Sequence, residues 1–214
     1  MNRRKAIKNL GLSLGTISLT PAVLSLLQSC QNDLDWNPVF FDSNQIKFIS
    51  EITNLIIPSS EEVPGSNELN LIRFIDLYIS NVRNNDDHIF IQSSLVSFIE
   101  NYYIKSKKNS LINYEIEELD EILKYFFKSD VLKQELWVSD FNNSKNSILD
   151  GSIESSSNDA LSFYFLKTIR DLTITAFKGS EYIGKNILAF RPVPGQQKGC
   201  VDLLETTNGR AWTI

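Results

Sequence analysis

The middle of this chain lacks glycine and proline. No glycine occurs between Gly65 and Gly151, and no proline occurs between Pro64 and Pro192. β-Sandwiches and β-barrels reverse direction every few residues and depend on these two residue types in their tight turns. Long helices joined by polar loops are therefore predicted, and 214 residues are enough for one well-buried domain.

Apolar residues recur at spacings of three and four, which is the pattern of amphipathic helices. Asp42 and Ser43 can cap the first helix, and Pro58 would end it. Further helices are predicted at residues 68–82, between 87 and 105, and at 113–128, 131–141, 161–177 and 180–190. Aromatic and β-branched residues would also allow a buried strand at 161–177, but the length of this segment favours a helix.

The predicted fold is all-α: a compact helical domain of about six to seven helices, covering residues 42–214, with an extended, turn-rich C-terminal tail from Arg191 onwards. Residues 142–159 are rich in serine and asparagine and are predicted to form a mobile linker. A cleaved signal peptide at residues 1–29 and a tether at 30–41 are predicted to precede the domain.

Composition excludes several classes of chemistry. The chain has two cysteines and one histidine, His88, which argues against most zinc and haem sites, a Ser-His-Asp triad and a disulfide-framed fold. The net charge is −5 and no basic cluster lies outside the extreme N-terminus, so nucleic acid is not expected as a partner. No nucleotide-binding glycine motif occurs.

The N-terminus resembles a twin-arginine (Tat) export signal. Arg3 and Arg4 stand in a cationic region without acids, followed by a mildly apolar stretch from Asn9 to Leu27. Asn2 replaces the more usual Ser or Thr, so ordinary Sec export is the alternative. An uncleaved anchor helix at residues 10–27 is a second alternative, although two glycines and Pro21 make a poor membrane span.

The end of this stretch resembles a lipoprotein lipobox. Ser29 precedes Cys30, whose thiol would be acylated after cleavage, although Gln28 is an unusual residue at its position. The mature protein would then be lipid-anchored on the periplasmic side of the cell envelope, with a net charge of −9. Which membrane would hold the anchor does not follow from the sequence.

The residues that could carry chemistry on their own are each predicted to have a structural or solvent-exposed place. His88 follows two acids at a predicted helix start, which is typical of a solvated or capping residue. Glu117 and Glu121 lie on one helix face without a Glu-x-x-His motif, so a solvated face is expected. Aromatic residues at helical spacing, such as Tyr102 and Phe163, are expected in the core. Cys200 is expected to be a buried thiol, with an intersubunit disulfide as the alternative.

Two C-terminal motifs carry a resemblance to a known family. The first is S-E-x-x-G, and the second is P-V-P-G-x-x-x-G-C, followed by a closing Trp. The residues of these motifs are Ser180, Glu181, Gly184, Pro192, Pro194, Gly195, Gly199, Cys200 and Trp212. With the Tat-like leader, Pro58, the Pro64-Gly65 loop and Phe74-Ile75-Asp76, they make the chain resemble the gluconate 2-dehydrogenase subunit 3 family over almost its whole length.

The resemblance implies a non-catalytic accessory subunit that carries no cofactor of its own. Its implied partner is a glucose-methanol-choline type oxidoreductase subunit containing FAD, often joined by a cytochrome c subunit carrying haem c. The implied role is to bind the flavoprotein, to assist its maturation, and to supply the Tat signal for export of the folded pair. The substrate and the electron acceptor do not follow from the resemblance.

Two other classes of function compete with this one. One is a free-standing envelope lipoprotein that binds a carbohydrate or another envelope protein. The other is an enzyme in its own right, which the lack of a nucleophile, base and orienting group disfavours. A large exposed apolar patch would favour the subunit.

The tail from Arg191 to Trp212 is expected to face the partner, because its prolines and glycines favour an extended path over a surface. The equally weighted alternative is that the tail folds back on the helices of its own subunit.

Overall fold

The computed structural model describes residues 36–108, 110–111, 114–151, 156–191, 195 and 199–213. Pro38–Ile214 form one compact unit. Met1–Asn37 are a separate unit, of which Trp36 and Asn37 alone are described, so the predicted leader lies outside the described residues.

The described part of the chain is helical, as predicted, and contains no strand. Its α-helices are α1 (Ser43–Ile56), α2 (Leu71–Val82), α3 (Asn85–Ser106), α4 (Ile116–Phe127), α5 (Val131–Leu149), α6 (Asn158–Gly179) and α7 (Leu203–Thr207). A one-turn π-helix, Ile183–Ile187, lies between α6 and α7.

Polar caps begin most of these helices, and the predicted starts of α1 and α5 are confirmed. Asp42 accepts hydrogen bonds from the backbone of Asn44 and Gln45, and the Gln45 side chain accepts one in return from Asp42 N. The Asn84 side chain caps α3 through Asp87 N. The Ser157 hydroxyl caps α6 through Ala160 N.

The core is built around α6, which packs against α1, α2, α3 and α5 and most extensively against α3. Phe165 on α6 stacks on Phe98 of α3, and both side chains are fully buried. Tyr102 and Phe163 are also buried, which confirms the prediction that these aromatic residues belong to the core.

The predicted linker at 142–159 is wrong for its first half. Helix α5 does not stop at Phe141 but continues to Leu149. Phe141, Ser144 and Ile148 are spaced by three and four, and all three are buried, while the polar residues between them point outward. Most serines and asparagines of this stretch therefore lie on the solvent-facing side of a helix.

The second helix begins later than predicted, at Leu71 instead of residue 68. Asn70 has φ +50°, in the left-handed region, so residues before it cannot extend the helix. The preceding loop depends on Gly65, because a Cβ there would lie 2.4 Å from the backbone nitrogen of Ser59.

The predicted helix at 180–190 is present but shorter: residues 181–187 are helical, and Ile183–Ile187 of this stretch form the π-helix. Beyond it the tail contains the short helix α7, which periodicity did not predict. Among the described residues, no helix is long and apolar enough to cross a bilayer.

Candidate functional site

The S-E-x-x-G motif forms the corner at which the chain leaves α6. Ser180 adopts an extended conformation after Gly179, and its carbonyl accepts a hydrogen bond from Gly184 N at 2.9 Å. Glu181 contacts Lys185 at 2.5 Å, one helical turn away, and this ion pair lowers the pKa of the Glu181 carboxyl group. Both side chains are solvent-exposed, so the pair contributes little to stability.

The C-terminal segment returns to this corner. Ala189 N donates to Ala211 O at 2.8 Å, and Thr213 N donates to Ala189 O at 3.2 Å, so that Ala189 and Trp212 form a parallel bridge. Gly184 is buried beneath this segment, and a Cβ there would lie 2.9 Å from Oγ1 of Thr213. The glycine therefore permits the close approach of the chain terminus.

The same region exposes large apolar side chains to solvent, with exposed fractions between 47% and 70%. These residues are Tyr182, Phe190, Val201, Leu203, Leu204 and Trp212. Phe190, Leu204 and Trp212 line one open groove, here called the tail groove, with a volume of about 480 Å³. The described part of the tail therefore returns to its own subunit through its backbone, and these large side chains remain exposed to solvent.

Cationic side chains accompany the apolar ones. Lys185, Arg191 and Arg210 line the tail groove, and Glu205 is the acid that lines it with them. The Arg191 guanidinium lies over the Trp212 ring at 6.0 Å from its centroid. Arg210 donates a long hydrogen bond, 3.5 Å, to Asn186 O. Neither arginine forms an ion pair with a described carboxylate.

Cys200 is exposed and unbridged in the described part of the chain, so the expectation of a buried thiol is wrong. The short α7 follows it, and Leu203 and Leu204 of this helix are exposed whereas Thr207 is buried. Gly195 and Gly199 are exposed, and a Cβ added at either position would meet no atom within 4 Å. Pro192 and Pro194, like Arg3, Arg4 and Cys30, lie outside the described residues.

Asp76 has a function that sequence analysis did not identify. Its carboxylate is fully buried and accepts hydrogen bonds from the backbone nitrogens of Val39, Phe40 and Phe41 at 2.8, 3.0 and 2.9 Å. The charge is therefore satisfied by three donors that lie more than thirty residues away in the chain. Its presence at a buried position of α2, among Ile75 and Ile79, was the available signal.

His88 neither caps α3 nor stands free in solvent. Its Nε2 lies 2.7 Å from Ile79 O, and its ring packs near Phe40 at a centroid distance of 5.1 Å. The interpretation as a solvated or capping residue is therefore wrong, and Asn84 is the cap. The histidine joins α2, α3 and the segment before α1.

A second polar cluster lies where α3, α4 and α6 meet. Lys105 Nζ lies 3.4 Å from the centroid of the Tyr125 ring, and burial lowers the pKa of this lysine. Tyr125 donates to Asp159 at 2.6 Å. A cavity of about 590 Å³ lies beside these residues and is also lined by Glu117 and Glu121, which are exposed as expected.

Among described residues, no group of His, Cys, Asp and Glu could hold a metal ion.

Together these features define a small all-α protein whose C-terminal segment helps to form a groove lined by apolar and cationic side chains. The chain belongs to the gluconate 2-dehydrogenase subunit 3 family, whose model matches residues 43–195. The match runs from the start of α1 to Gly195, and α7 and Trp212 lie beyond it. No curated protein and no solved structure matches the chain. Family membership implies an accessory subunit of gluconate 2-dehydrogenase-type complexes.

Proposed function

We propose that this protein is the non-catalytic small subunit of a periplasmic, membrane-associated dehydrogenase complex. It binds an FAD-containing subunit of the glucose-methanol-choline type, assists its maturation and brings it through the Tat pathway. The family match supports the assignment to such a complex. A cytochrome c subunit with haem c is the proposed third member.

The observation that carries the proposal is the set of exposed apolar side chains between Tyr182 and Trp212. Single exposed apolar residues are ordinary on a protein surface, but a group of them around one groove is typical of a protein interaction site. Trp212 is 47% exposed and stands on a backbone that is already fixed by the bridge to Ala189. A tryptophan held in this way can enter a partner pocket at low entropic cost and is a common interface hot spot.

The proposed export and anchoring depend on the leader. FAD must be inserted before export, so a flavoprotein without its own signal needs a partner with a Tat signal. In this proposal Arg3 and Arg4 supply that signal. Cys30 would carry the lipid that holds the complex at the membrane.

The test is co-expression of the full-length protein with a glucose-methanol-choline type flavoprotein encoded beside it. A tag on this protein should recover the flavoprotein, identified by its FAD absorbance. Trp212→Ala should weaken the complex by roughly 2 kcal/mol or more while leaving the melting temperature of the isolated subunit nearly unchanged. The matched control is Leu136→Ala, which removes a side chain that is 69% exposed on α5.

Two results would count against the proposal. Failure to recover any flavoprotein would remove the subunit assignment. A large loss of stability in the isolated Trp212→Ala subunit, with unaltered flavoprotein binding, would show instead that Trp212 serves its own fold.

A further inference from the structure

The charge of the tail groove differs from that of the rest of the molecule. The chain as a whole is acidic, with a net charge of −5. The groove nevertheless brings together Lys185, Arg191 and Arg210, and Glu205 is the one acid among the described residues that line it. Lys185 is already paired with Glu181, so the two arginines carry the charge that is available to a ligand.

From this arrangement we infer that the tail groove binds an acidic segment of the flavoprotein subunit that also carries an apolar side chain. The inference rests on the proposed function and adds the chemistry of the contact. Carboxylates of the segment would pair with Arg191 and Arg210, which present planar guanidinium groups suited to two-point binding. The apolar side chain would cover Phe190, Leu204 and Trp212.

Both arginines line the tail groove, but they lie toward opposite ends of the backbone pairing. Ala189 and Trp212 form a parallel bridge, and Arg191 follows Ala189 by two positions whereas Arg210 precedes Trp212 by two positions. One ligand that contacts both guanidinium groups must therefore be extended along the groove, as a peptide segment is. Arg191 is additionally placed over the Trp212 ring, so its charge lies next to the apolar surface.

The charge also argues against a second copy of this chain as the occupant. Two identical grooves would bring like charges together, which is unfavourable at an interface. A small anion could pair with an arginine but would leave the exposed faces of Phe190 and Trp212 uncovered. A peptide segment with both acidic and apolar residues satisfies the whole groove.

The experiment measures the dissociation constant of the purified complex between about 50 and 500 mM NaCl, a range that changes the screening of exposed charges. The variant is Arg191→Gln with Arg210→Gln. The control is Arg170→Gln with Lys178→Gln, which removes the same charge from exposed positions on α6. The groove variant should bind roughly tenfold more weakly at low salt and show a flatter salt dependence, and the α6 control should resemble the wild type.

An Arg191→Lys, Arg210→Lys variant separates charge from geometry. It should lie between the wild type and the glutamine variant, because lysine keeps the charge but not the two-point fork. If the complex forms and the glutamine variant has the same affinity and salt slope as the wild type, the inference is wrong while the proposed function stands. If the wild-type complex does not form, the proposed function itself fails.

A further arm distinguishes a small anion from a protein segment. The isolated subunit is titrated with inorganic phosphate and followed by Trp fluorescence. Saturable phosphate binding that is lost in the glutamine variant, with no change in affinity for the flavoprotein, would overturn the inference in favour of a free anion site. Weak, unsaturated binding of phosphate is the expected result.

Discussion

Two residues, Gly184 and Asp76, illustrate how single positions connect distant parts of this chain. Gly184 lies under the returning C-terminus and leaves room for Thr213. Asp76 lies inside the bundle and holds the backbone that leads into α1. Each acts on a segment far away in sequence, so substitution at either position should affect that segment more than its own helix.

Gly184→Ala should destabilise the isolated subunit by about 1 kcal/mol or more, because the new methyl group would press on Thr213 Oγ1. Urea unfolding measures the change. Gly179→Ala is the matched control, since nothing lies within 4 Å of a Cβ at that position, and it should be neutral or slightly stabilising. Introducing Thr213→Ala should relieve most of the Gly184→Ala penalty, and an undiminished penalty would contradict the proposed contact.

Asp76→Asn should cost about 2 to 3 kcal/mol in the free energy of unfolding, because the amide NH₂ faces backbone donors and leaves some of them unsatisfied. Hydrogen exchange should quicken at the amides of Val39, Phe40 and Phe41. Asp171→Asn provides the comparison, because that carboxylate is exposed and its pair with Lys167 is worth at most about 0.5 kcal/mol. Equal effects of the two substitutions would show that Asp76 does not hold this segment.

At the scale of elements, α5 is the clearest departure from expectation. Its C-terminal half is polar in composition, yet Ile148 is almost fully buried and Ser144 Oγ bonds to the carbonyl of Asp140 one turn earlier. Asp140 also accepts from both the backbone and the hydroxyl of Ser157, which ties the middle of α5 to the start of α6. The two helices are therefore joined by side chains as well as by the connecting chain.

Ile148→Ala tests this helix directly. Loss of a buried isoleucine should destabilise the subunit by roughly 2 to 5 kcal/mol, whereas the same change in a mobile linker would have little effect. Asn143→Ala, at an exposed position of the same helix, should stay within about 0.5 kcal/mol of the wild type. Thermal unfolding of the wild type and of the two variants distinguishes a packed helix from a mobile linker in this segment.

At the scale of the whole molecule, the proposed function assigns partner binding to the described bundle and export to the leader. The bundle provides a core around α6 and a tail groove that is open to solvent. The leader, which lies outside the described residues, would determine where the protein is delivered. Substitutions in the leader therefore test the proposed export.

Replacing Arg3 and Arg4 by Lys together should leave this protein and its flavoprotein in the cytoplasm, because Tat recognition depends on the guanidinium pair. Cell fractionation followed by FAD measurement gives the location of both subunits. Lys5→Gln, which changes a charge outside the pair, is the control and should be exported normally. Continued export in a Tat-deficient strain would show that the Sec pathway reads the leader.

Local sequence patterns were sufficient to predict the helical class, the starts of α1 and α5, and the family. Caps such as Asp42 and Asn84 bond to residues within three positions, so the information is local. The apolar period of α6 was likewise long enough to select helix over strand.

The burial of polar residues and the path of the C-terminal tail depend on tertiary contacts. Asp76 meets donors more than thirty residues away, and Gly184 meets Thr213, contacts that no local pattern encodes. Arg191 and Arg210 are brought into one groove because the chain terminus returns to Ala189. Sequence patterns report the preferences of short segments, whereas a site of this kind depends on long-range backbone pairing.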